Sequence, residues 1–256
     1  MLRWHAGAAG ATVGSMSSES VTHLHAEPQG TDLAAKLNWL RAGVLGANDG
    51  IVSVAAVVVG VAGATAETGP ILTAGAAAVV GGAISMALGE YVSVSSQSDS
   101  QKHLIKKETD ELREQPEAEL AELVSLYRAK GLSEETATRV AHELTEKDAL
   151  RAHLDIELGI DPDEIVSPWH AAAASAVAFL LGAVLPMLSI LFFPEGIRVP
   201  LTFVTVLVAL AITGWVGAWI GGGSRLRASA RVVLGGALAL AATFGLGSLL
   251  GVAGVA

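Results

Sequence analysis

Five stretches of the chain stay apolar for about 20 residues or more, the length at which a helix crosses a bilayer. They run from about Trp39 to Ala64, Ile71 to Val94, Trp169 to Phe193, Val199 to Ile220 and Val232 to Val255. Three of the four connections are short: Ala64 to Pro70, Pro194 to Arg198, and Gly221 to Arg231. The fourth is a long polar stretch between spans 2 and 3, where apolar residues return at helical spacing: Leu104, Ile105 and Leu112, then Leu120, Leu123, Val124 and Leu126. Pro116 suits the first turn of a new helix. Gly131 suits a helix stop, and Ser133 an N-cap for a third helix reaching about Leu150. Gly159 to Pro162 closes the insert, and Pro186 predicts a kink in span 3. The pattern predicts an all-α membrane protein with five transmembrane helices and a helical insert. The blocks are a tail over 1–35, spans 1 and 2 over 36–96, the insert over 97–167, and spans 3 to 5 over 168–256.

Charge sharpens this. Only 16% of the 256 residues are charged, against about 25% in a soluble domain. The net charge of −9 belongs to the insert: Gln97 to Val166 holds nine Lys/Arg and eighteen Asp/Glu, and the rest of the chain is balanced. Such an insert suits cations and argues against nucleic acid. Basic residues sit at the N-terminal edge of span 1 (Lys36 and Arg41), in the insert, and between spans 4 and 5 (Arg225, Arg227 and Arg231). The positive-inside rule then puts the N-terminus and the insert in the cytoplasm, with Trp39 as an interface anchor. The first 35 residues, rich in Ala, Gly, Ser and Thr and carrying His5, His23 and His25, read as a disordered cytoplasmic tail; their apolar core is too diluted for a signal peptide.

The acids carry the candidate chemistry. Asp49 lies inside span 1, where a carboxylate costs about 2.5–3.5 kcal/mol on insertion scales and so marks function. It predicts a membrane transporter in which Asp49 handles a cation. Met86 and Glu90 share a face of span 2, four residues apart; Met86 reads equally as packing or as ligand. In the insert, Glu108 and Glu111 are three apart, and so are Glu119 and Glu122. Two carboxylates on adjacent turns can chelate a divalent cation, but spacing alone favours a solvated acidic face. Glu157 could add a ligand. His142, Glu146 and His153 could join a site, though an exposed histidine is usually plain surface. With no cysteine, disulfides, thiolate sites and cysteine nucleophiles are excluded, and carboxylate, imidazole and thioether ligands remain, a set suited to iron(II) or manganese. There is no Walker loop. His142-Glu143-Leu144-Thr145-Glu146 ends in Glu where a zinc protease has His. No enzyme is indicated and no permanently bound cofactor.

Two longer stretches carry a resemblance. They are Asn48-Asp49-Gly50-Ile51-Val52 and the run Gly81-Gly82-Ala83-Ile84-Ser85-Met86-Ala87-Leu88-Gly89-Glu90-Tyr91-Val92-Ser93-Val94-Ser95-Ser96-Gln97; the glutamate pairs and Ile156-Glu157-Leu158-Gly159 join them. The chain resembles the vacuolar iron transporter family, in its bacterial branch, over about residues 36 to 254. The resemblance implies a homodimer with the pathway between protomers. It implies a cytoplasmic metal-binding domain and exchange of Fe²⁺ (also Mn²⁺, Zn²⁺ or Co²⁺) for protons, moving metal out of the cytoplasm. By position, Asp49 and Met86 match the family's pathway ligands, and Glu108, Glu111, Glu119, Glu122 and Glu157 match its metal-binding glutamates. Three positions depart from other members: Ala78 replaces an acid, Glu90 a small residue, and His153 falls near a methionine. Glu90 then reads as a proton carrier or as an interfacial residue. The bacterial likeness implies the plasma (inner) membrane. The alternative is a membrane-anchored metal sensor or buffer, in which the insert binds metal without transport.

Overall fold

The computed structural model describes residues 30–253, with side chains from Gly43 onward except that of Glu164. The expected tail, with His5, His23 and His25, lies outside the described residues up to residue 29, as do the side chains of Lys36, Trp39 and Arg41. Seven α-helices follow: α1 Gly30–Ala64, α2 Thr68–Glu114, α3 Pro116–Ala129, α4 Glu134–His153, α5 Pro168–Phe192, α6 Arg198–Ile220 and α7 Arg225–Val252. A π-helical turn, Leu154–Leu158, and a short 3₁₀ turn, Pro162–Glu164, join α4 to α5. No strand occurs among the described residues.

Five of these helices are long and apolar enough to cross a membrane: α1 from Gly43, α2, α5, α6 and α7. Their outer faces are apolar, with Ile84, Leu88, Leu181, Leu188, Leu238 and Leu249 all exposed. A soluble protein would bury these side chains; lipid solvates them. The chain is an integral membrane protein.

Inside the bundle, Ile51, Val54 and Val58 of α1 pack with Ile71, Phe179, Leu210 and Leu240. Helix α1 is central, lying against α2, α5, α6 and α7. Small residues allow this, because lipid tails compete with bulky apolar contacts and leave close backbone packing as the drive. A Cβ at Gly46 would stand 2.9 Å from the Ala178 methyl, and one at Gly50 would collide with the Phe179 carbonyl.

Helix α2 departs from the expected division. Its 47 residues extend about 70 Å, and about 30 Å suffices for the hydrocarbon core. No break separates span 2 from the insert, because no proline or glycine falls between Gly89 and Gln115. Helices α3 and α4 pack around a second small core of Leu123, Ala141 and Ala152, and α2 touches both of them. Local signals behave as expected here. Pro116 opens α3, Gly131 has φ 99° just beyond it, and the Ser133 hydroxyl accepts the Thr136 N–H at 3.3 Å. Helix α5 stays helical through Pro186.

Two further boundaries differ. Helix α7 starts at Arg225, seven residues before the expected start of span 5, because long arginine side chains can reach water from the first turns of a helix. Arg198 opens α6 and is buried. Its guanidinium donates to Thr68 Oγ1 at 3.1 Å and to the Ala66 carbonyl, clamping the α5–α6 loop to the α1–α2 loop. It is therefore a structural cation and not an orientation signal.

Candidate metal sites

The insert brings three ligand groups from three helices together. Glu108 projects from α2 and is 3% exposed; Glu119 lies on α3 at 8%; His153 ends α4 at 1%. One ligand atom of each lies within 4.8 Å of the other two. His153 Nδ1 stands 3.0 Å from Glu108 Oε1 and 3.8 Å from both Glu119 Oε2 and Glu157 Oε2. Glu157, on the π-turn, sits at the exposed rim. Burial normally obliges polar atoms to pair. Here Glu108 Oε1 and both ring nitrogens of His153 lack a hydrogen bond. Converging, buried oxygen and nitrogen atoms fit a divalent cation, with a mixed carboxylate–imidazole set suited to iron, manganese or zinc.

The remaining sequence-derived candidates lie outside this cluster. Glu111 pairs with Lys107 at 2.7 Å, and Glu122 is exposed. His142 and Glu146 are also exposed. Of the two readings open for His153, a site member or plain surface, its burial excludes the second: it is among the most buried polar residues described.

Electrostatics reflects the crowding. Burial, then the charges of Glu157, Glu119, Glu111 and Glu122, push Glu108 up to about 7. Glu119 is raised too, by burial first and then by Glu122, with His153 opposing. Unfolded, Glu108 titrates near 4.5. A carboxyl that holds its proton more tightly when folded contributes stability that is complete below its unfolded value and lost as pH rises through its folded value. The metal-free insert is thus expected to lose stability between about pH 4.5 and 7 and to level off above. Hydrogen exchange of α3 and α4 amides in chelator-treated protein, corrected for intrinsic rates, reads this directly. Protection that rises with pH over that window would contradict a buried, charge-crowded Glu108.

The other candidate residues lie in the membrane bundle. Asp49 of α1 is half-buried and accepts a hydrogen bond from Ser53 Oγ at 2.7 Å. Its neighbour Asn48 faces another way, its Oδ1 accepting from Thr213 Oγ1 of α6 at 2.6 Å. Asp49 shares a helical stripe with Leu45, one turn earlier, which is 59% exposed. Further along that stripe, Ala56, Val57 and Gly60 of α1 line a groove with Thr243, Leu246 and Gly247 of α7. Met86 of α2 is partly buried against the core. Glu90 is also partly buried, next to Tyr91, whose ring lies 4.7 Å from that of Trp169.

A five-span bundle with a carboxylate in its first span, extended by a helical unit with a buried Glu–Glu–His cluster that could hold a metal ion, defines a polytopic membrane protein. Comparison of the whole chain narrows that class. The sequence profile of the VIT family matches residues 40–248. The chain is 45% identical to a vacuolar iron transporter of Acanthamoeba castellanii over 218 residues, covering 82% of this chain and 78% of that one. It is 36% identical to vacuolar iron transporter homolog 2 of Arabidopsis thaliana over 241 residues, covering 93% and 98%. It is 39% identical to vacuolar iron transporter homolog 5 of Oryza sativa over 225 residues, covering 88% and 86%. The chain belongs to the VIT family.

Proposed function

We propose that this protein carries divalent metal, Fe²⁺ foremost and Mn²⁺, Zn²⁺ or Co²⁺ as further substrates, out of the cytoplasm in exchange for protons. The observation that carries this reading is Asp49. A passive anchor has no use for an acid in its first span, and such an acid is retained where an ion pathway needs it. The names of the relatives, vacuolar iron transporters, support iron as the metal.

The insert, on the cytoplasmic side, gathers the ion at Glu108, Glu119 and His153, with Glu157 at the rim and Glu111 and Glu122 as outer charges. Glu90 stands at the pathway's mouth: tyrosine and tryptophan favour the membrane–water boundary, so the Tyr91–Trp169 pair marks its level. Asp49 then takes the ion with Met86. A thioether prefers softer iron(II) to magnesium, which also sheds water reluctantly. A carboxylate that releases a proton to take a cation, and the reverse, is the minimum for antiport. Asp49 lies on an open stripe of the protomer. A second copy seated on that stripe would cover it and present two carboxylates across one axis, so the working unit is a homodimer.

The relatives are named for the vacuole, which does not support the plasma-membrane placement expected from the sequence. Export from the cytoplasm is the same vectorial step in either membrane. The test is uptake of Fe²⁺ and Mn²⁺ into proteoliposomes with an imposed pH gradient. Uptake that vanishes with the gradient is expected. Tight metal binding without flux, in folded and correctly inserted protein, would assign a sensor or buffer instead.

A further inference from the structure

Helix α4 changes phase at Asp148, and that change puts His153 in the cluster. At about 100° per residue, Ala137, Ala141 and Leu144 form one inward stripe. A straight helix would continue it through positions 148, 151 and 155, and would leave His153 about 160° away from Ala137. The structure has the reverse. Asp148, Arg151 and Asp155 are exposed, and Ala152, His153 and Leu154 are buried in succession.

The reset occurs at Asp148, whose φ of −167° and ψ of 91° are extended within an otherwise helical run. Its Oδ1 accepts the Arg151 N–H at 3.0 Å, the bond of an N-cap at a fresh helical start. Beyond it the wider π-turn Leu154–Leu158 ends at Gly159, φ 60°, with the Ile160 N–H closing back on the Leu154 carbonyl at 2.9 Å. Arg151, turned outward, reaches Asp161 at 3.4 Å and Asp163 at 3.1 Å, which ties the rotated segment from its solvent side. Aspartate suits this place because its short side chain competes for backbone N–H groups inside helices and caps them at ends.

We propose that Asp148 is a positioning residue for the metal cluster: its cap bond breaks α4 and rotates the following turn so that the His153 imidazole meets Glu108 and Glu119. The proposal rests on the reading of that cluster as a metal site. It goes beyond that reading by assigning metal affinity to a residue that touches no ligand atom.

The test uses full-length protein in detergent with Co²⁺ as probe, followed by calorimetry and by ligand-field absorption. Asp148→Ala, which favours an unbroken helix, is expected to weaken Co²⁺ binding about tenfold or more, the usual effect of losing a residue that orients a ligand. Its absorption should match that of His153→Ala. Asp148→Asn and Asp148→Ser, which can still cap, should restore both affinity and spectrum. Adding Asp148→Ala to His153→Ala should cost nothing further, since the imidazole is already gone. Wild-type affinity and spectrum in folded Asp148→Ala would overturn the proposal, and so would additive losses in the double variant. Should Asp148→Ala be recovered unfolded, Asp148→Gln, polar but unable to cap in this way, carries the same test. Identical titrations of wild type and Glu108→Gln would instead overturn the cluster as a metal site, and the proposal with it.

Discussion

Asp49→Ala is expected to reduce pH-gradient-driven Fe²⁺ uptake to the level of protein-free liposomes, while metal affinity of the insert stays within about twofold, because distant sites are nearly independent. The argument has two parts. Removing a carboxylate from an apolar span relieves an insertion cost of about 2.5–3.5 kcal/mol, so the variant should fold at least as well as the wild type. Lost flux then reports lost chemistry. Asp49→Asn makes the distinction finer. Its side-chain oxygen can still accept the Ser53 hydrogen bond seen at 2.7 Å, so local packing survives. An amide, however, neither exchanges a proton nor carries the charge that holds a cation. Both variants should therefore be inactive, with Asn the better folded control. Gradient-dependent flux in either one would move the pathway away from α1 and undo the proposed antiport.

How much of this could be read from the sequence depends on the range of the signal. Apolar length is a property of consecutive residues, and all five membrane-crossing helices follow from it; α5 and α6 begin within a residue of the expected places. Cap chemistry is also local, so Pro116, Gly131 and Ser133 punctuate the insert as expected. The site was less legible. Spacing of three put Glu108 with Glu111 and Glu119 with Glu122, but spacing only assigns a shared face. Which member of a pair turns inward depends on the helix packed against it. Lys107 holds Glu111 at 2.7 Å, and Glu122 stays in solvent. The resemblance strengthened a metal-binding reading of all four glutamates, and did not separate Glu108 and Glu119 from Glu111 and Glu122. His153 was no more prominent in the sequence than His142, because a continuous helix would point it outward. The available signal was Asp148, a strong capping residue in mid-helix, followed by Gly159, a residue suited to closing a turn at positive φ.

Gly50→Ala is expected to remove transport as completely as the loss of Asp49, but through the fold. The two helices approach by reciprocal contact. A Cβ at Gly50 of α1 would meet the Phe179 carbonyl of α5, and a Cβ at Gly182 of α5 would meet the Ala47 carbonyl of α1. Backbone atoms cannot rotate aside as a side chain does, so α1 must shift or turn to accept a methyl group. Over-packing costs about 1–3 kcal/mol, and backbone collision belongs at the upper end. At that end the thermal midpoint should fall by about 6–12 °C in a chain of this size. The functional cost exceeds the stability cost because the same contact sets the rotation of α1. Gly46 and Gly50 bind one face of that helix to α5, and the Asn48–Thr213 bond ties another to α6. Asp49 is thereby left on the open stripe with Leu45, and a turned helix would withdraw it. Gly81→Ala is the matched control, since a Cβ there meets nothing within 4 Å; its stability should change by no more than about 0.5 kcal/mol. Midpoints measured in detergent, alongside flux in liposomes, separate the cases. Equal midpoints and equal flux for Gly50→Ala and Gly81→Ala would mean that the α1–α5 contact does not fix the register of Asp49. A lowered midpoint with full flux would mean that the contact stabilises the bundle without aiming the carboxylate.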